Sequence, residues 1–335
     1  MILVTGGTGI VGSHLLYKLT SSNEKVRAIY RSEQKLQNVR NVFSCYTEDY
    51  KKLFDAIEWV KADILDIPSL AEAFKGITYV YHCAALVSFE PNKHLSLRKV
   101  NIEGTANVVN FCISNNIKKL CYVSSIATLG KTLNNQPITE KTLWNPDTDH
   151  NPYAITKYGA EMEVWRATQE GLDAVIVNPG VIIGAGIWNE GSGSLFKKAY
   201  DGFKYYPSGS IALVPVEDVV SIMVRLLKSD IKNERFVLVG EQWSYKNFLQ
   251  ALAKSVNQTP PKTLAPAWLL GILWRLDWLK YSFTGKPRKL TKQLSASLSS
   301  ETHYSNEKIK SVLDFEFQPI DKTIARVGNL YLKQL

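Results

Sequence analysis

Met1-Ile2-Leu3-Val4-Thr5 has the short apolar, β-branched character of a strand. Gly6-Gly7-Thr8-Gly9-Ile10-Val11-Gly12 follows without a spacer and opens a helix-like stretch over Ile10–Thr20. Few chain starts constrain a fold more. Glycine at 6, 9 and 12 permits a tight turn, close approach of backbone N–H groups to a pyrophosphate, and close packing of helix on strand. The helix N-terminus adds partial positive charge where phosphates would lie. An ordinary strand-to-helix turn can show the same glycines. Their place between a strand and a helix favours a dinucleotide, with Gly6, Thr8, Gly9, Ile10, Val11 and Gly12 as its contacts.

Further along, strand-like runs at Val26–Tyr30, Trp59–Ala62, Tyr79–Cys83, Leu120–Ser124, Ala174–Asn178 and Phe236–Val239 alternate with helix-like stretches. The latter include Ser69–Phe74, Val100–Ser114, Tyr153–Gln169 and Val219–Lys228. This alternation predicts an α/β fold, a doubly wound parallel Rossmann sheet with a smaller, mainly helical C-terminal lobe. After Pro179 the rhythm changes, and residues 180–211 read as a long Gly-, Ser- and aromatic-rich loop. Residues 244–335 read as helices with polar breaks. The expected division is a Rossmann domain from 1–179 and about 212–240, and a substrate lobe from about 180–211 and 241–335.

The chain of 335 residues is 45% hydrophobic with 36 aromatics, which excludes intrinsic disorder. Its net charge of +9 is uneven. Residues 1–180 carry 19 basic and 18 acidic side chains (+1), and the remainder carries 21 and 13 (+8). The four cysteines lack CxxC or framework spacing, so reduced thiols and a cytoplasmic location are expected, with no secretory leader. No metal ligand set is expected. The apolar stretch 264–283 contains Arg275, Asp277 and Lys280, which make it a poor membrane span. Around it lie Lys286, Arg288, Lys289 and Lys292. A solvated face is the preferred reading of this basic, aromatic region, with peripheral membrane contact the lesser one. Nucleic acid is not an expected partner, because no recognisable binding motif is present.

Cofactor choice turns on the end of the second strand. An acid there holds the ribose diol of NAD; here Arg31 stands in that position, suited by charge and bidentate geometry to the 2′-phosphate of NADP, with Ser32 and Lys35 able to assist. NADP is therefore favoured and NAD is the alternative. Asp63, after the third strand, is placed to accept from an adenine amino group. Asp66, before Ile67-Pro68-Ser69, reads as a helix cap.

These features, taken with others in order, resemble the extended short-chain dehydrogenase/reductases of the NAD-dependent epimerase/dehydratase family. The others are Asp63-Ile64, His82-Cys83-Ala84-Ala85, Asn101-Ile102-Glu103-Gly104-Thr105, Ser124-Ser125, Tyr153-Ala154-Ile155-Thr156-Lys157, Asn178-Pro179-Gly180 and Val216-Glu217-Asp218-Val219. The motifs look most like the dihydroflavonol reductase and 3β-hydroxysteroid dehydrogenase branch. Tyr153 and Lys157, four apart, share a helix face. An ammonium near a phenol stabilises its phenolate, which suits Tyr153 to proton exchange with an alcohol or ketone.

The resemblance implies Tyr153 as acid/base, Lys157 as its tuning group and a ribose contact, and Ser125 as the group on the reacting oxygen. It also implies cofactor contacts at Ala84, Ala85, Ile64 and Asn101 and at Pro179, Gly180 and Val181 beside the nicotinamide. Thr128 and Asn178 are expected on the substrate side. His82 reads as a buried strand histidine and Cys83 as packed. A homodimer through the helices around Val100–Ser114 and Tyr153–Gln169 is a further implication.

Three functions follow, in this order: a reductase or dehydrogenase acting on a carbonyl/secondary alcohol pair of a small molecule; a nucleotide-sugar epimerase or dehydratase with tightly held NAD; and a dinucleotide-sensing protein without turnover. Many nucleotide-sugar members carry a diphosphate-binding arginine five residues before the position of Val216. Ile211 stands there and cannot serve. The aromatics Trp188, Phe196, Tyr200, Phe203, Tyr205 and Tyr206, then Trp268, Trp274, Trp278 and Phe283, offer a pocket for an apolar substrate, although each taken singly reads better as core or interface.

Overall fold

The computed structural model describes residues 1–132, 136–284, 288 and 290–335, with the side chain of Pro91 excepted. Lys286 and Lys289 of the basic cluster lie outside the described residues. Twelve strands are described: β1 (Ile2–Thr5), β2 (Val26–Tyr30), β3 (Glu58–Lys61), β4 (Tyr79–His82), β5 (Lys119–Val123), β6 (Ala174–Pro179), β7 (Val181–Ile183), β8 (Tyr205–Pro207), β9 (Ser210–Pro215), β10 (Glu234–Leu238), β11 (Glu241–Ser244) and β12 (Thr263–Ala265). The α-helices are α1 (Ile10–Ser21), α2 (Leu36–Ser44), α3 (Tyr50–Asp55), α4 (Ile67–Phe74), α5 (His94–Arg98), α6 (Gly104–Ser114), α7 (Pro152–Gln169), α8 (Ser194–Asp201), α9 (Val216–Lys228), α10 (Tyr245–Ser255), α11 (Ala267–Thr284), α12 (Lys292–Leu298), α13 (Glu307–Leu313) and α14 (Ile320–Lys333).

Seven strands form one sheet in the order β10-β6-β5-β4-β1-β2-β3. Every pairing within it is parallel. Side chains alternate across such a sheet, and both faces here are covered. Ile2, Val4, Tyr81, Cys121, Val175 and Val177 face the layer of α1, α2 and α9. Leu3, Val80, Leu120, Tyr122, Ala174 and Ile176 face α4, α6 and α7. The strand order reverses between β1 and β4, which is where doubly wound sheets bind ligands beyond their carboxyl ends. Gly6, Ala84, Ser125 and Gly180 all follow strands at that edge.

Glycine lets the second layer approach closely. A Cβ on Gly104 would stand 2.5 Å from the Ile64 side chain, and one on Gly159 2.7 Å from that of Ile102. Helix α4 begins where the Asp66 side chain accepts from Ser69 N, with Pro68 in the first turn, as the sequence suggested.

Residues 180–211 are more ordered than the loop reading expected. They hold β7, α8, β8 and the start of β9, and β7 and β9 join β11 in a three-stranded sheet. This sheet packs with α8, α10 and α14 around Phe196, Leu213, Phe248 and Ile324. Phe196 is core, and Trp188 lies edge-on to Phe196 and Tyr331, so these two aromatics are not free to line a pocket. Among the described residues no helix is long and apolar enough to cross a membrane.

Candidate active site

The glycine turn has the shape of a cradle. Gly6 has φ +68°, and a Cβ there would stand 2.5 Å from Ala84 N and 2.6 Å from the Cys83 carbonyl carbon. Gly9 N–H donates to Gly6 O at 3.1 Å, and Gly9 caps α1 with backbone alone. A Cβ on Gly12 would collide with the Gly6 carbonyl. Val11 is in the core, so only its backbone can face a ligand; Ile64 is buried likewise, its carbonyl taken by Asn107 Nδ2 at 2.9 Å. A close-fitting turn with free N–H groups at a helix start fits a dinucleotide pyrophosphate. Gly6→Ala is accordingly expected to impose on the order of 1–3 kcal/mol of backbone strain and to reduce dinucleotide affinity sharply. Fluorescence titration with NADPH and NADH checks this, and unchanged affinity in a folded variant would remove the cradle from the argument.

Arg31 reaches Asp63 at 3.7 Å, with side-chain exposures of 63% and 35%. Asp63 also accepts from Leu65 N at 3.0 Å. Lys35 is paired with Glu190 at 2.7 Å, so its charge is partly answered within the chain. Such surface pairs contribute little, and a phosphate can compete for the cations.

Asn101 lies in a π-turn, Lys99–Glu103, that leads into α6. Its Oδ1 accepts from Leu86 N at 2.7 Å, and its Nδ2 donates to Leu86 O at 3.0 Å and Thr156 Oγ1 at 3.1 Å. It thereby ties the segment after β4 to α7, one residue before Lys157. Ala84 is half-buried and Ala85 exposed beside this segment. At the end of β6, Pro179 is buried and Gly180 donates to Leu238 O at 3.0 Å. A Cβ on Gly180 would lie 2.7 Å from Ala212 O; Val181 then starts β7.

The structure sets Ser125 beside Tyr153, with Lys157 one turn further along α7. Asn151 caps α7 by accepting from Ala154 N at 2.8 Å, and Pro152 pre-forms its first turn, so Tyr153 stands at the helix start. Tyr153 is half-buried, with Phe89 edge-on at 5.7 Å. Burial raises its phenol above the ordinary tyrosine range, and a hydrogen bond with the Ser125 side chain works against that rise. Lys157 is fully buried one turn on. Its Nζ donates to Tyr122 Oη at 2.7 Å and Val123 O at 2.8 Å. Burial pushes this ammonium down to about 7, opposed by the negative charge of Glu161.

Thr128 and Asn178 lie behind Ser125, not toward a substrate. Both are fully buried, and both reach Glu161 Oε2, at 2.8 and 2.9 Å. Ser124 donates to the same oxygen at 2.5 Å. Glu161 Oε1 accepts from Arg235 at 2.9 Å and Trp165 Nε1 at 3.3 Å. Asn178 Nδ2 also reaches Ser125 O at 3.1 Å, so the network braces the loop that carries Ser125. Tyr122, Glu161 and Arg235 were not singled out from sequence. Glu161 had a signal, being four residues beyond Lys157 on the same helix face.

His82 is a satisfied strand histidine, between Thr5 Oγ1 at 2.6 Å and Thr105 Oγ1 at 2.9 Å. Burial pushes it down to about 3. The Cys83 thiol is pushed up to about 12 by burial, which leaves it protonated and unreactive.

Residues 2–240 match the model of the NAD-dependent epimerase/dehydratase family. The chain belongs to that family, whose members are NAD(P)-dependent oxidoreductases and epimerases. Sterol demethylase protein B of Methylococcus capsulatus is 27% identical over 288 residues, covering 84% of this chain and 82% of that protein. A putative dihydroflavonol 4-reductase of Synechocystis is 28% identical over 274 residues, with coverages of 79% and 75%. A UDP-glucose 4-epimerase of Thermus thermophilus, solved with NAD, superposes with TM-score 0.76 at 18% identity, covering 100% and 99% of the two chains.

Proposed function

We propose that this chain is an NADP-preferring reductase or dehydrogenase that interconverts a carbonyl and a secondary alcohol. The observation that carries the reading is the buried, doubly anchored Lys157 one turn beyond Tyr153 on α7, with Ser125 beside that tyrosine, at the sheet edge that holds the glycine cradle. In the reducing direction the Tyr153 phenol gives its proton to the carbonyl oxygen as the C=O double bond becomes a C–O single bond. The Ser125 hydroxyl donates a hydrogen bond to that oxygen and fixes its position. Cationic Lys157 stabilises the phenolate that Tyr153 becomes, with Tyr122 Oη and Val123 O holding the ammonium in place. A bound nicotinamide dinucleotide would supply the hydride, hydrogen and electron pair together, that forms the new C–H bond at the carbonyl carbon. Gly6, Gly9 and Gly12 would hold its pyrophosphate, and Lys157 its ribose. Oxidation of an alcohol runs the same proton transfer in reverse.

NADP is favoured because Arg31, mostly exposed, stands where an acid would select NAD, and its contact with Asp63 is long. Reduction is favoured over sugar epimerisation because Ile211 is buried in β9 opposite Trp243, where many nucleotide-sugar members carry an arginine. The dihydroflavonol-reductase-named relative agrees with this reading.

Gentle purification, denaturation and mass spectrometry of the released nucleotide test the proposal. The expected result is a site that exchanges its cofactor and binds NADPH more tightly than NADH, with Arg31→Ala removing about tenfold of that preference, a loss of ~1.4 kcal/mol. Stoichiometric retained NAD would overturn it in favour of an epimerase or dehydratase.

A further inference from the structure

Helix α11 has two apolar faces, and only one is covered. Leu270, Trp274, Asp277 and Tyr281, spaced by four, three and four, are buried or half-buried toward the protein. Asp277 accepts from Leu290 N at 3.0 Å, just ahead of α12, which packs against α11. On the opposite side Trp268, Ile272, Leu276, Leu279 and Phe283, spaced by four, four, three and four, form one line along the helix. These five are 67%, 47%, 55%, 45% and 82% exposed. Scattered exposed apolar residues are ordinary; a continuous stripe of five over four turns is not. The sequence reading preferred a solvated face here, and this stripe is a poor surface for water.

We propose that the exposed face of α11 docks on the surface of an anionic phospholipid bilayer, with the helix lying in the interfacial plane. Charge decides the occupant. Over residues 262–292 the sequence has seven basic side chains (Lys262, Arg275, Lys280, Lys286, Arg288, Lys289 and Lys292) and one acid, Asp277. Of these, Arg275 and Lys280 are exposed on α11 itself. A second copy would bring the same cations against the first, whereas anionic headgroups neutralise them while acyl chains receive Trp268, Leu276 and Phe283.

Helix α12, packed on the covered side of α11, connects that helix to the segment leading into α7. Gln293 Nε2 of α12 reaches Asp149 Oδ1 at 3.5 Å, and Lys292 reaches Asp149 at 3.9 Å, two residues before the cap of the helix that carries Tyr153.

Co-sedimentation of the full chain with phosphatidylglycerol/phosphatidylcholine vesicles and with pure phosphatidylcholine vesicles tests the proposal, with tryptophan emission read in parallel. The expected result is pelleting with anionic vesicles, a blue shift, and weakening at high salt. Trp268→Ser/Leu276→Ser/Phe283→Ser should lower vesicle affinity at least tenfold at an unchanged melting temperature. Ile272→Ser/Leu279→Ser repeats the test if the triple variant does not fold. Failure to pellet overturns the proposal, as does equal pelleting on both vesicle types. A dimer in light scattering that the variant dissolves, without pelleting, assigns the face to a second copy and overturns it too.

Discussion

Replacing Tyr153 with Phe is expected to lower turnover by on the order of 10³-fold while leaving dinucleotide affinity unchanged. The substitution removes one oxygen from a half-buried ring and leaves the glycine cradle, Lys157 and the cap of α7 in place. Only proton exchange is lost. Single-turnover kinetics with a carbonyl substrate, paired with an equilibrium titration of NADPH, separates the two effects. Retained activity would take Tyr153 out of the chemistry and leave dinucleotide binding without catalysis as the better description.

The pH profile carries the same claim further. Lys157 is pushed down to about 7, so its charge is present below that pH and is lost above it. Phenolate stabilisation depends on that charge, so the reducing rate should hold steady on the acid side and fall as pH rises through about 7. A flat profile to pH 9 would mean that Lys157 stays charged despite its burial.

Much of the main sheet was legible because each of its strands is a short apolar run bounded by turn residues. All seven expected runs are strands of one parallel sheet. The misses have local causes. Val181-Ile182-Ile183 follows β6 after a single glycine, and its parallel partner β9 begins nearly thirty residues later, so no local pattern marks β7 as a separate strand. The candidate site was legible where the family motifs run, at Ser125, Tyr153 and Lys157. It was less so where support comes from afar: Arg235 meets Glu161 across 74 residues of chain. Helix α11 shows another limit. A helix apolar nearly all round gives no sign of which side is covered, and only packing against α12 separates the Trp274 side from the Trp268 side.

Glu161 leads to the largest expected loss of stability. Its carboxylate is fully buried and meets five donors, from Ser124, Thr128, Asn178, Arg235 and Trp165. Glu161→Ala leaves the Arg235 guanidinium without its carboxylate in a mostly enclosed setting, which costs about 3–5 kcal/mol when one partner of a buried pair is removed. Glu161→Gln is the sharper test. Its amide NH₂ must replace one carboxylate oxygen: on one side it faces the donor-only Arg235 and Trp165, and on the other the Asn178 NH₂ together with the Ser124 and Thr128 hydroxyls, which would have to turn and accept. An isosteric change should therefore still be destabilising, by at least ~1 kcal/mol for donors left unmatched. Arg235→Met combined with Glu161→Gln should show a coupling of about 0.5–3 kcal/mol in denaturant unfolding, because the two side chains share one network. The kinetic readout distinguishes support of the site from support of the fold. Since Asn178 and Thr128 brace Ser125 from behind, Glu161→Gln should lower kcat at temperatures where the variant is fully folded and leave the NADPH dissociation constant unchanged. A variant that loses stability but keeps kcat would confine the network to the core and leave Ser125 positioned by its own turn.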